Sequence, residues 1–347
     1  MMLLDNVDKK LLNLIQVEVP ITTRPFEALG EKLGGLSEPE MLERVKALKE
    51  RRIIRQISAI FDTRSLGYTS SLVAVKCDPS REDEVAAIIS AHPGVSHNYK
   101  RSHTFNLWYT IAVAPTSKLG LERTVQILHE VSGAMSSRLM PTLHLFKIGV
   151  ELDVEEIRKA DDKTAVSYTQ RNRSVADGPL SDLEIRFVRE MQKDLTIEAE
   201  PFLAVTARLG VSFEKLQQLA ATMTSSGRMR RFSAVLHHRE IGFNANGMGV
   251  WVVRGTNDEI LRTGEKMATF RAVTHCYLRP AYPDWPYNIF TMIHARTNDE
   301  CNAVVDQIAK ETGVRDHEVL YSTKEYKKSR VRYFTEAEVK WELKFTP

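Results

Sequence analysis

The chain is two copies of one unit. Arg55–Tyr68 (RQISAIFDTRSLGY) recurs as Arg230–Phe243 (RRFSAVLHHREIGF), so that Ser58, Ala59 and Gly67 fall on Ser233, Ala234 and Gly242. Upstream, Arg24–Gly34 (RPFEALGEKLG) matches Glu200–Gly210 (EPFLAVTARLG). Downstream, Gly94–Arg101 (GVSHNYKR) matches Ala272–Arg279 (AVTHCYLR), and His144–Val150 (HLFKIGV) stands where Lys324–Arg330 (KEYKKSR) stands in the second copy. A repeat of this kind binds both halves to one fold, and 347 residues are too many for a single core. The join lies in Asp161–Asp182, a polar stretch without helical periodicity that reads as a linker.

Each half opens with helices. Val7, Leu11, Leu12, Leu14 and Ile15 share one helical face, and Pro25 sits at the start of a second helix over Phe26–Leu33. A Gly34-Gly35 turn follows, and Ser37 with Glu40 three residues on predicts a capping box for a third helix. Helix, glycine turn, helix and the strand IIRQISAIFD form a winged helix-turn-helix pattern, repeated with Leu209-Gly210 as the turn and Ser212 as the cap. The remainder of each half alternates strand and helix as βαββαβ, the ferredoxin-like order. The fold class expected is α+β in tandem duplication. Helix-turn-helix units span 1–62 and 182–237, ferredoxin-like domains 63–160 and 238–347, and a linker 161–181.

Composition narrows the chemistry. Hydrophobic residues make up 43% and charged residues 27%, as in globular proteins. A net charge of +3 is a weak basis for nucleic-acid binding. The N-terminal MMLLDNVDKKLLNLI is amphipathic and acidic, unlike a signal peptide or membrane span. Cys77, Cys276 and Cys301 are scattered, odd in number and form no CxxC pair, which argues against structural zinc, iron–sulfur clusters and disulfides and for a reducing cytoplasm.

A helix-turn-helix followed by a small βαββαβ domain resembles the leucine-responsive (Lrp/AsnC) regulator family, here covering the whole chain twice. The segments HNYKRSHTFNLWYT, HCYLRPAYPDWPYNIF and EYKKSRVRYF more specifically resemble siroheme decarboxylase, with its two related subunits fused. That resemblance implies loss of CO2 from the acetate side chains at ring positions 12 and 18 of siroheme, toward heme d1 or heme b. It implies no external organic cofactor and no protein-bound metal, since the iron tetrapyrrole is the substrate. The expected assembly is a homodimer or an intrachain pseudo-dimer, with neither DNA nor membrane as partner.

Alternation of strand side chains puts His97, Tyr99 and Arg101 on one face and His275, Tyr277 and Arg279 on the corresponding face of the second half. Asn106 and Trp108, like Asn288, Phe290 and His294, would look the same way, toward an open sheet face suited to a ligand. Arg offers a planar fork to carboxylates and Trp and Tyr a flat surface to a macrocycle. The candidate acids are His97, His103, His275 and His294, because a decarboxylated carbon must gain a hydrogen. The candidate substrate contacts are Tyr99, Arg101, Asn106, Trp108, Lys147, Tyr277, Arg279, Tyr282, Trp285, Tyr287, Lys327 and Lys328, with Tyr282–Tyr287 forming the pocket rim. The plainer alternatives are that the repeated His-x-Tyr-x-Arg row preserves a contact between halves, and that Trp285 and Tyr287 fill core around Pro283 and Pro286.

The halves differ. Four residues separate Arg101 from Asn106, but eight separate Arg279 from Asn288. His103 has no counterpart, and His294 falls on Ala112. Two equivalent sites are therefore not expected; one composite site, or one active and one degenerate site, is. A DNA-binding regulator would need basic residues at the start of its recognition helix, where the sequence has Glu38, Glu40 and Glu43. A tetrapyrrole carrier without catalysis is the remaining class.

Overall fold

The computed structural model describes residues 4–148, 178–236 and 245–346. The first half comprises α1 (Asn6–Val17), α2 (Pro25–Lys32), α3 (Glu38–Glu50), β1 (Ile54–Phe61), β2 (Thr69–Lys76), α4 (Glu82–Ser90), β3 (Val95–Arg101), β4 (Leu107–Val113), α5 (Gly120–Ser132), β5 (Ser136–Met140) and β6 (His144–Ile148). The second comprises α6 (Asp182–Met191), α7 (Leu203–Leu209), α8 (Phe213–Ser225), β7 (Met229–Leu236), β8 (Ala245–Trp251), α9 (Asn257–Ala268), β9 (Val273–Leu278), β10 (Ile289–Ala295), α10 (Asn298–Thr312), β11 (His317–Lys328) and α11 (Glu336–Glu342). The second half keeps the expected βαββαβ order, and the first adds an unexpected strand, β5, before its expected last strand β6. Most of the expected linker, and the end of the strand beginning at His144, lie outside the described residues.

In the first helix-turn-helix, Gly30 lets α2 meet the chain entering α3, because a Cβ there would lie 2.2 Å from the Leu36 carbonyl oxygen. Ser37 caps α3 by accepting from Glu40 N at 3.5 Å. The capping box is only half formed, since the Glu40 carboxylate instead takes Arg44 Nε at 3.2 Å. A full box forms at Ser181 with Glu184 and at Thr256 with Glu259. The wing strand departs from the simple winged pattern: β1 pairs antiparallel with β7 of the other half. Ile57 and Phe232 from these strands, Leu11, Phe26 and Val45 from the first unit, and Phe187, Leu216 and Met223 from the second share one core.

The remaining nine strands run in the order β5-β2-β4-β3-β11-β8-β10-β9-β6. The two halves exchange their last strands. β11 pairs with β8 over His317–Tyr321 and then with β3 over Ser322–Lys328. In the first half β5 pairs with β2, and β6 crosses to pair with β9. Laid flat, eight strand spacings would hold β5 and β6 roughly 38 Å apart. Only residues 141–143 join them, a reach of about 14 Å. The sheet must therefore curl until its ends meet. Its interior is filled by Ala74, Trp108 and Met140 from one half and Met248, Val250, Trp285, Phe290 and Leu320 from the other.

Candidate active site

The histidine rows sit on paired irregularities. Opposite β4 the register of β3 slips between Val95 and His97, and opposite β10 that of β9 slips between Val273 and His275. Ser96 and Thr274 are thus the extra residues of β-bulges, a device that re-aims neighbouring side chains. Each hydroxyl lies 3.0 Å from Nδ1 of the following histidine. Each histidine stacks on the tyrosine two residues on, His97 on Tyr99 and His275 on Tyr277, at 6.1 Å in both cases. Burial lowers the pKa of His97, helped by Lys328 and Arg55 and opposed by Glu325. Burial, with Lys147 adding to it, takes His275 down to about 4.

Beyond these histidines the expected open sheet face is closed, because each half covers the other's. Arg101 and Arg279 are 6% and 8% exposed. Arg101 Nη1 donates to Leu320 O at 2.7 Å, and Arg279 Nη1 donates to Met140 O, pinning the exchanged strands where they cross. Burial takes both guanidiniums down to about 10. Trp108 and Trp285 meet edge to face at 5.0 Å in the sheet interior. Trp285 is fully buried, so it is core rather than pocket rim. Tyr282 donates to Leu139 O, and Arg138 reaches Asp284 at 2.8 Å, so the Pro-rich loop clasps β5. Tyr287 donates to Glu318, which also lies 3.7 Å from His103 Nε2.

Other expected contacts face the helix layer. Asn106 accepts from Cys77 N at 3.0 Å and donates to Cys77 O at 3.1 Å. Asn288 does the same with Val253, so both asparagines clamp strand ends instead of facing a ligand. Lys147 donates to Phe270 O at 2.9 Å, and Lys327 to Ser90 O at 2.7 Å and His92 O at 3.1 Å. Both lysines thus hold carbonyls at or beyond helix C-termini, where a cation is favoured. Lys328 pairs with His97 in the β11–β3 ladder and is exposed beside it.

His97 lies in a cleft of about 260 Å³ assembled from both halves. Its walls are Ser96 and His97, Gln56 and Ala59–Phe61 of β1, Gln192 after α6, and the strap Ser329–Tyr333 that follows β11. The strap is held by Ser329 N on Ser96 O at 2.8 Å and by a two-way bond between Gln192 and the Tyr333 backbone at 2.7 and 3.0 Å. The strap brings Arg330 and Arg332 to the cleft. The pKa of Arg330 is lowered by burial and by the neighbouring cations Arg55 and Arg231. Sequence reasoning gave these arginines no role: Arg55 and Arg231 stand in the repeated strand RQISAIF/RRFSAVL, read only as part of the helix-turn-helix units, and Arg330 and Arg332 in the run SRVRYF beyond the last strand. In the second half, Thr274 Oγ1 brings His275 and His294 together, the latter at 2.9 Å.

This arrangement suits a polyanionic ligand beside a neutral imidazole. Among the described residues no cluster of His, Cys, Asp and Glu could hold a metal, and no helix is long and apolar enough to cross a membrane.

Comparison with known proteins gives consistent results. The AsnC-like ligand binding domain model matches residues 65–147 and 240–327, and the siroheme decarboxylase NirDL-like HTH domain model matches 8–55. The siroheme decarboxylase of Hydrogenobacter thermophilus is 37% identical over 96% of this chain and 96% of its own. A siroheme decarboxylase beta subunit from Methanosarcina barkeri is 40% identical over 43% of this chain and 97% of its own. A crystal structure of the siroheme decarboxylase NirDL in complex with an iron-uroporphyrin III analogue superposes with a TM-score of 0.76 at 33% identity, covering 97% of both chains.

Proposed function

Because the chain belongs to the siroheme decarboxylase family, we propose that it removes CO2 from the acetates at ring positions 12 and 18 of siroheme, giving 12,18-didecarboxysiroheme. The observation that supports placing this chemistry at the His97 cleft is its charge. Arg330 and Arg332 line it, Lys328 and Arg55 act on its half-buried histidine, and Arg231 acts on Arg330. Guanidiniums bind carboxylates in paired geometry, and siroheme carries many carboxylates. With all but the reacting acetate held, the macrocycle is fixed in orientation, which lowers the entropic part of the barrier.

Breaking the bond between the methylene and the carboxylate releases CO2 and leaves the electron pair on the methylene carbon. A proton delivered to that carbon completes the methyl group, so the step needs an acid and no redox partner. His97 relays the proton: the neutral ring gives up one N–H while its other nitrogen takes a proton from solvent, so no imidazolate is left. No organic cofactor is required, and the iron belongs to the substrate. The acidic first turn of α3, with Glu38 and Glu40, makes DNA an unsuitable partner. The three unpaired buried cysteines fit a reducing cytoplasm.

The test is anaerobic incubation of the purified protein with siroheme, followed by mass spectrometry of the tetrapyrrole. Two successive losses of one CO2 are expected. Binding with unchanged mass would make the protein a carrier and sink the proposal.

A further inference from the structure

The two bulge hydroxyls look alike but differ in how their single hydrogens are placed. A hydroxyl has one hydrogen to donate and two lone pairs to accept with. Thr274 Oγ1 donates to Met292 O at 3.2 Å, and a carbonyl can only accept. Its hydrogen is then used, so His275 Nδ1 at 3.0 Å and His294 Nδ1 at 2.9 Å must both be N–H donors to it. Ser96 is buried, and among the described residues its Oγ meets only His97 Nδ1, at 3.0 Å. Among those residues Ser96 has no carbonyl within reach to take its hydrogen as Thr274 has, so the hydrogen points at Nδ1, which then carries the lone pair.

We infer that the halves hold opposite imidazole tautomers: His97 carries its proton on Nε2, while His275 and His294 carry theirs on Nδ1. Resting on the reading of His97 as the acid, this makes Ser96 a positioning residue that turns an N–H toward the cleft. Thr274 instead accepts a hydrogen bond from each Nδ1 on its hydroxyl, so in the second cluster the ring lone pair of each histidine lies on Nε2. The bulges make this geometry available, because only there do a hydroxyl and the next side chain turn to the same side.

Long-range proton–nitrogen NMR of the 15N-labelled full chain at neutral pH tests it, with ring signals assigned by His97→Gln, His275→Gln and His294→Gln. The expected spectrum shows a pyridine-like Nδ1 for His97 and pyrrole-like Nδ1 atoms for His275 and His294. One shared tautomer for His97 and His275 overturns the inference. In turnover, Ser96→Thr should keep activity, as Thr274 keeps the same contact. Ser96→Ala should lose about tenfold or more in kcat at unchanged KM. Wild-type kcat and pH profile in Ser96→Ala would overturn the positioning role. A wild-type chain that never decarboxylates siroheme would sink the functional proposal but leave the NMR result to stand or fall alone.

Discussion

Gly94 N donates to His92 Nδ1 at 3.0 Å, so the His92 ring must be neutral on that side. Burial, with Lys327 adding to it, takes His92 down to about 4. An unfolded histidine titrates near ~6.5. Between these values the unfolded chain binds a proton that the folded chain does not. The stability is full above the unfolded value and is lost as pH falls toward 4, by up to about 3 kcal/mol. Urea unfolding across this range should show the loss, and His92→Gln should flatten it. At the cleft, Arg330→Gln removes a charge-assisted contact of about 1.5–3 kcal/mol. The expected result is a KM for siroheme raised roughly tenfold or more with kcat little changed. Trp285→Ala empties the middle of the curled sheet and should cost about 3–5 kcal/mol of stability, measured by denaturant unfolding.

Among the elements, α11 has its own pH dependence. Glu338 accepts from Tyr68 OH at 3.1 Å, and burial pushes its carboxyl up to about 7. The folded chain therefore holds this proton at pH values where an unfolded glutamate has released it. Its contribution is present below about 4.3 and is lost as pH rises through 7. Glu338→Gln should raise Tm in mildly alkaline buffer and change it little in acid. Thermal scans at the two pH values check this. The elements themselves were largely legible, because the 3.6- and 2-residue periods of α1 and β4 are local properties. The direction of the His97, Tyr99 and Arg101 row was legible too. What covers that face was not, because closure depends on strands more than 200 residues apart, such as β3 and β11. For the same reason Trp285 was placed on the rim ahead of the core, and Arg330, though part of the quoted run SRVRYF, was given no role. The Asn106 clamp was hidden because the strand end it holds, at Cys77, is 29 residues away.

At the scale of the whole molecule, the helical core and the interior of the curled sheet are each built from both halves. β1 lies on β7, β11 on β3 and β6 on β9, each contact joining opposite halves. A chain cut within residues 161–177 should still assemble when both pieces are made together, as a one-to-one complex by light scattering. Each piece made alone should lack a cooperative unfolding transition. Relatives named as separate alpha and beta subunits match parts of this chain, in keeping with that expectation.

Strand exchange also imposes a timetable on synthesis. His97 leaves the ribosome 233 residues before Arg330, the strap residue that faces it across the cleft. At ordinary elongation rates that gap lasts roughly ten to fifty seconds. Throughout it β3 is an unpaired edge, the kind of surface on which nascent chains stick to one another. The growing chain therefore waits longest where it is most adhesive, and completes the His97 cleft only when that edge is sealed.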